Sequence, residues 1–206
     1  MSAVLERIRV VQMGLSPYEP TLQAMRGFTA RRGADTPDEL WLLEHPPVYT
    51  LGLAADAAHG PKAGNSIPVL KVERGGEVTY HGPGQVVLYT LVDLARRGIK
   101  VKQFVAMLEQ SVMDLLGSGA ERRPGAPGIY VGGAKVAALG IRVSRGCAYH
   151  GLALNVDMDL TPFSAIDPCG FPGLQVTQTR DLGIRENKHG LGKNLARILI
   201  EKLEHA

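Results

Sequence analysis

Two side chains in this sequence have the types that covalent catalysis by sulfur requires. Lys135 stands in an apolar run between Ala134 and Val136, and Cys169 stands in Asp167-Pro168-Cys169-Gly170. Pro168 fixes φ and Gly170 tolerates positive φ, so the thiol is expected on a sharp turn. A free thiol has a pKa of about 8.5 and is only slightly ionised at neutral pH, whereas a nearby ammonium favours the thiolate. A lysine beside a turn-borne cysteine therefore amounts to an activated nucleophile with a proton carrier at hand. Spacing alone leaves that pairing open. The second cysteine, Cys147, follows Arg145-Gly146 at the head of an apolar stretch, where free cysteines are usually buried and inert.

A third feature is the glycine-rich segment Arg74 to Gln85, RGGEVTYHGPGQ. Glycines let main-chain N–H groups approach a ligand closely, and Arg74 beside them could hold a carbonyl, carboxylate or phosphate. The segment is neither a Walker loop nor a dinucleotide fingerprint. A plain glycine hairpin between two strands accounts for it equally well. His81 and His150 both lie beside glycines, where side chains tend to line pockets. Cys147-x-x-His150 is half of a zinc motif, but no second ligand pair accompanies it, and no metal is expected.

Composition narrows the rest. The chain has 206 residues, 45% hydrophobic and 21% charged, which suits one α/β domain spanning 1–206 with a sizeable core. Two cysteines make no disulfide framework, and the opening MSAVLERIRVV lacks a long apolar signal region. No run approaches the roughly 18 apolar residues of a membrane span. A cytoplasmic, reduced protein is expected. The net charge is +3, with arginine pairs at Arg31-Arg32, Arg96-Arg97 and Arg122-Arg123. Such a surface steers an acidic protein partner or merely keeps the protein soluble. With 5% aromatics and no basic run interleaved with them, nucleic-acid binding is disfavoured.

The elements that must position these residues follow from periodicity. Residues 7–14, 40–44, 67–72 and 85–93 read as strands, and 48–53 as extended chain leading into a loop over 54–66. Gln85 to Asp93 is nearly continuous in apolar residues, as in a central strand covered on both faces. Ser16 reads as the N-cap of a helix that starts at Pro17, carries Glu19 in its first turn, and ends near Arg32. A second helix is expected over 101–116 and a third from about Asn187 to His205. Strands are expected at 129–131, 135–143 and 148–156, one helical turn at Thr161-Pro162, and a short edge strand over 174–179. The whole is an α/β (α+β) arrangement: a mixed, mostly antiparallel sheet flanked by helices.

Taken together, HPPVYTLG at 45–52, RGGEVTYHGPGQ, GAKVAALGIRV, RGCAYHGLALNVDMDL and DPCG, in this order, resemble the octanoyltransferases of lipoate synthesis, the lipoate biosynthesis protein B family. The likeness runs from residue 45 to about 175. It implies a fold related to the catalytic domains of biotin and lipoate protein ligases. It also implies an acyltransferase that moves an octanoyl group from octanoyl-acyl carrier protein to a lipoyl-domain lysine. The implied acceptors are 2-oxoacid dehydrogenase acyltransferase subunits and the glycine cleavage H protein. By position, Cys169 matches the acyl-thioester nucleophile of such enzymes and Lys135 the lysine that lowers its pKa. The acyl chain is then expected against Arg74, Gly75, Gly76, Glu77, Val78, Thr79, Tyr80 and His81. Ala138, Leu139 and Gly140 are expected to join it, with His150, Gly151, Leu152 and Ala153. The donor arrives activated, so neither ATP nor another cofactor is implied, and no nucleic acid or membrane takes part. An ATP-dependent lipoate or biotin protein ligase is the nearest alternative, and a non-catalytic carrier-protein or nucleic-acid binding module the alternative of another class.

Overall fold

The computed structural model describes residues 8–61, 66–171 and 173–206, without the side chains of Ala57 and Cys169. In chain order it forms β1 (Arg9–Leu15), α1 (Tyr18–Arg31), β2 (Glu39–Glu44), β3 (Val48–Leu51), β4 (Val69–Lys71), β5 (Val78–His81) and β6 (Gln85–Asp93). There follow α2 (Leu94–Arg97), α3 (Val101–Leu116), β7 (Ala120–Arg122), β8 (Ile129–Val131), β9 (Ala134–Ser144), β10 (Cys147–Asn155) and α4 (Lys188–Glu204). Short 3-10 turns lie at Ala57–His59, Thr161–Ala165 and Pro168–Gly170.

Among the described residues, seven strands make one sheet in the order β1-β2-β6-β10-β9-β8-β7, parallel only between β1 and β2. Strand β6 lies within it and buries both faces by simple alternation. Val86, Leu88 and Val92 join Phe104, Leu108 and Val112 of α3 and Leu191, Leu195 and Leu199 of α4. Val87, Tyr89 and Leu91 pack the other way, with Leu22 and Met25 of α1 and Trp41 of β2. Asn187 caps α4 by accepting the Gly190 N–H at 3.0 Å. A second sheet, β4-β3-β5, sits on the 3-10 turn at Thr161–Ala165 through Tyr49, Tyr80 and Phe163.

Several details differ from the sequence expectation. Helix α1 begins at Tyr18, because Pro17 has φ −59° and ψ 143°, outside the helical region. Ser16 does not cap it: its hydroxyl donates to Met13 O at 3.1 Å, and its carbonyl is taken by His45. Part of the glycine-rich segment is ordered ladder, since Val78 to His81 pair antiparallel with Leu51 to Val48 and complete a sheet separate from the large one. Residues 174–179 supply only a bridge, Lys135 to Val176, instead of a strand. The short β7 and α2 left no periodic trace. Arg7, in the expected first strand, and residues 62–65 of the expected loop lie outside the described residues.

One ionic knot ties the sheet to its flank. Asp38, fully buried just before β2, accepts from Arg32 and, at 3.0 and 2.6 Å, from Arg96 and Arg97. It also accepts the Asp93 N–H at 2.9 Å. Burial alone raises a carboxyl pKa, yet these donors outweigh it and hold the Asp38 carboxyl below its ordinary range.

Candidate active site

A cavity of about 460 Å³ opens where β9 passes beyond β8 and keeps only β10 as a sheet neighbour. Its walls include Arg74 to Thr79 and His81 from the glycine-rich segment, Ala138 to Gly140 from β9, and His150 to Ala153 from β10. Tyr80 is the one residue expected there that the strand turns away: its ring packs on Tyr49 and Phe163. The glycines serve close approach. Gly75 N–H donates to Ile141 O at 3.0 Å, and a Cβ on Gly140 would stand 2.6 Å from Gly75 O. The Arg74 guanidinium is buried in the wall, donating to the Thr50 carbonyl and hydroxyl at 2.7 and 2.8 Å and to Gly75 O at 3.0 Å.

Lys135 occupies an adjoining cleft, 4% exposed, at the start of β9. Its backbone is pinned by Lys135 N–H to Gln175 O at 2.8 Å and Thr177 N–H to Lys135 O at 2.9 Å. Its ammonium donates to Pro127 O at 2.8 Å and stands 5.4 Å from the Tyr130 ring centre. Gly128 makes room for it: with φ +139°, a Cβ there would lie 2.3 Å from Lys135 Cε. Thr79 and Ala138 line both this cleft and the larger cavity.

The side chain of Cys169 lies outside the described residues, but the backbone on either side of it is placed. Pro168 lines the cleft with Lys135, and Phe171 lines the large cavity. Gly170, at φ +71°, closes the turn by donating its N–H to Asp167 O at 2.9 Å, and it rests against His59 and Glu77. Asp167-Pro168-Cys169-Gly170 thus crosses from one space to the other. The other thiol, Cys147, is buried in β10, and burial pushes its pKa up. His150 faces the cavity instead of joining it, and no group of three metal-ligating side chains occurs among the described residues.

The cavity floor, which Tyr18, His81, Tyr89 and His150 line and His45 backs through Tyr89, is polar and neutral. His45 Nδ1 lies 2.6 Å from Ser16 O, a pure acceptor, so Nδ1 carries the proton and Nε2 accepts from the Tyr89 hydroxyl at 2.7 Å. His81 Nδ1 correspondingly donates to Gln85 Oε1 at 2.7 Å, since the Gln85 amide nitrogen is committed to Tyr80 O and Asn155 Oδ1. Burial lowers the pKa of His45 to about 4 and of His150 to about 3, and puts His81 well below its usual value. Burial also raises Tyr18 to about 12 and puts Tyr89 well above its usual value. The floor therefore carries no charge at neutral pH. A pocket with a neutral floor, its Arg74 guanidinium committed to Thr50 and Gly75 in the wall, beside a buried ammonium suits an acyl chain whose carbonyl end reacts.

Comparisons with known proteins show the family and the fold. A family profile described as "Lipoyl protein ligase A/B catalytic domain" matches residues 17–188. The chain belongs to that family. Among its relatives, an octanoyltransferase of Dechloromonas aromatica is 56% identical over 95% of this chain and 96% of its own length. Another, from Thiobacillus denitrificans, is 62% identical over 85% of this chain and 81% of its own. The fold matches that of the bipartite lipoate protein ligase of Thermoplasma acidophilum (TM-score 0.71, 15% identity, 96% of this chain and 90% of that one). It also matches the biotin protein ligase of Aquifex aeolicus (TM-score 0.54, 8% identity, 98% of this chain and 71% of that one).

Sequence reasoning overlooked the inner half of this family member's site. Tyr18, Tyr89, His45, Gln85 and Asn155 are buried polar side chains, and Tyr89 and Gln85 sat unnoticed inside the most strand-like run. A polar residue embedded in an apolar strand was the available signal. Gly128 carried none, because only the path of Lys135 reveals its purpose.

Proposed function

We propose that this chain, acting over 1–206 as one catalytic domain in the cytoplasm, is an octanoyltransferase of protein lipoylation. It moves an octanoyl group from octanoyl-acyl carrier protein to the lysine of lipoyl domains. The acceptors are those of 2-oxoacid dehydrogenase acyltransferase subunits and the glycine cleavage H protein. The observation that carries the reading is the path of the turn around Cys169, with Pro168 beside Lys135 and Phe171 beside the acyl-sized cavity. The relatives named above bear the same activity in their names.

The Cys169 thiolate attacks the thioester carbonyl, the carrier sulfur leaves, and the acyl group rests on Cys169. Lys135 ammonium protonates the departing carrier thiolate. The acceptor lysine amine then attacks the acyl-Cys169 carbonyl, Cys169 leaves as thiolate, and the neutral Lys135 amine takes the proton released as the amide forms. Charge is conserved at each step, and no nucleotide is required. The net charge of +3 favours encounter with acidic protein substrates.

The decisive experiment is intact-mass analysis after incubation with octanoyl-acyl carrier protein. One octanoyl adduct on Cys169, lost on adding a lipoyl domain and absent in Cys169→Ser, is the expected result. In Lys135→Ala, alkylation of Cys169 is expected to need a higher pH. Transfer of free octanoate by Cys169→Ser that depends on ATP would establish an adenylating ligase instead.

A further inference from the structure

Among the described residues that line the cavity, His150 has both ring nitrogens left unused by the protein and by the transfer reaction. It is 1% exposed, yet neither ring nitrogen meets a hydrogen-bond partner. Its backbone adopts φ +62°, uncommon for a residue with a Cβ, and strain of this kind persists where surrounding structure enforces it. The enforcement is visible. Thr90 Oγ1 donates to His150 O at 2.9 Å, the Tyr149 ring stacks on the imidazole at 5.1 Å, and the Tyr89 ring meets it edge-on at 5.8 Å. The ring is held in place with one N–H and one lone pair unmatched by protein.

Its place along the cavity is set by strand register. His150 pairs with Ile141, three residues past Ala138 on β9, or about 10 Å at roughly 3.3 Å per residue. Ala138 borders the Lys135 cleft, where the reacting carbonyl belongs. Seven C–C bonds of about 1.5 Å in an extended zigzag span about 9 Å. An eight-carbon chain that reacts at the Ala138 level therefore brings its last carbons to His150.

We propose that His150 is a specificity-determining residue that hydrogen-bonds a polar atom near the end of a medium-chain acyl group, so that the site accepts eight-carbon chains bearing a terminal hydroxyl as well as octanoyl itself. The proposal rests on the acyl-transfer reading for its substrate class, and its test is separable from it. Calorimetric binding of free 8-hydroxyoctanoate and octanoate reads the discrimination with no transfer step. In His150→Leu the affinity for the hydroxylated acid relative to octanoate is expected to fall about tenfold from the wild-type ratio, the scale of one lost hydrogen bond. His150→Asn, whose side chain tolerates positive φ and still hydrogen-bonds, is expected to keep the ratio within about threefold. The same ratio should appear in the rates at which the two acyl-carrier thioesters acylate Cys169. An unchanged ratio in His150→Leu, or a wild-type protein that does not bind the hydroxylated acid, overturns the proposal. Intact binding ratios without Cys169 acylation would fault the catalytic reading alone.

Discussion

Two buried polar clusters in this molecule are built on opposite plans. At Asp38, one carboxylate is surrounded by three guanidiniums and a backbone N–H, and every charge has an opposite partner. At the cavity floor and just behind it, three histidines and two tyrosines are kept neutral by burial, and His150 has no partner at all for its ring nitrogens. The first arrangement joins β2, α2 and the end of α1 and leaves only Arg32 Nε without a partner among its buried side-chain polar atoms. The second leaves both ring nitrogens of a cavity-lining residue without a protein partner. Satisfaction of buried polar atoms separates a structural site from a functional one more sharply than burial or charge does.

The largest effect that sharpens this contrast comes from Asp38→Asn. Removing one charge strands three arginines in a site built for an anion, and breaking a buried ionic network costs about 3–5 kcal/mol. Urea unfolding should show that loss while acyl transfer per folded molecule is unaltered. A loss below about 1 kcal/mol would mean that the arginines reach water unaided, and the contrast would fail.

The floor is expected to respond to pH where Asp38 does not. His45 and His150 take up a proton near pH 6.5 when unfolded but only near 4 and 3 when folded. Their contribution to stability is thus complete above about pH 6.5 and is lost as pH falls through 5. At about 1.4 kcal/mol per pH unit, each costs about 2 kcal/mol by pH 5. Asp38, with its pKa depressed below 3.8, adds nothing in that window and titrates only in stronger acid. Replacing His45 with Gln, which can still donate to Ser16 O and accept from Tyr89, should remove about 2 kcal/mol of the drop in stability between pH 7 and pH 5. An identical pH profile for wild type and His45→Gln would show that the imidazole is not held neutral.

The same contrast explains what could be read from the sequence. Helix α3 ran over 101–116 as its apolar stripe required, and β6 announced itself by continuous burial on both faces, because patterning records exposure directly. Residue types at Lys135, Cys169 and the glycine-rich segment were conspicuous for the same local reason. The strand at Val78–His81 was hidden by flanking glycines, and the separate small sheet by pairings with segments far away in the chain. Neutral polar residues such as Tyr89 and His45 acquire meaning only when the fold sets them against one another, 2.7 Å apart across 44 positions. The positive φ of His150 is likewise invisible until register and packing impose it.

The smallest effect concerns an ion pair with good geometry but the wrong surroundings. Arg26 of α1 grips Glu73 with two hydrogen bonds, 2.7 and 2.5 Å, where Arg97 reaches Asp38 with one, yet the Arg26 side chain is 44% exposed. Water and salt screen such a pair, and ordering two long side chains opposes it, so Arg26→Ala should cost less than about 1 kcal/mol. Glu73 keeps the Tyr149 hydroxyl as a donor at 3.2 Å, which limits the loss further. Comparing urea midpoints at 0.15 M and 1 M salt, roughly 8 and 3 Å of screening length, should make the small difference fade. A cost near that of Asp38→Asn, insensitive to salt, would mean that geometry outweighs solvent exclusion in this protein. Burial would then not be what makes the Asp38 cluster strong.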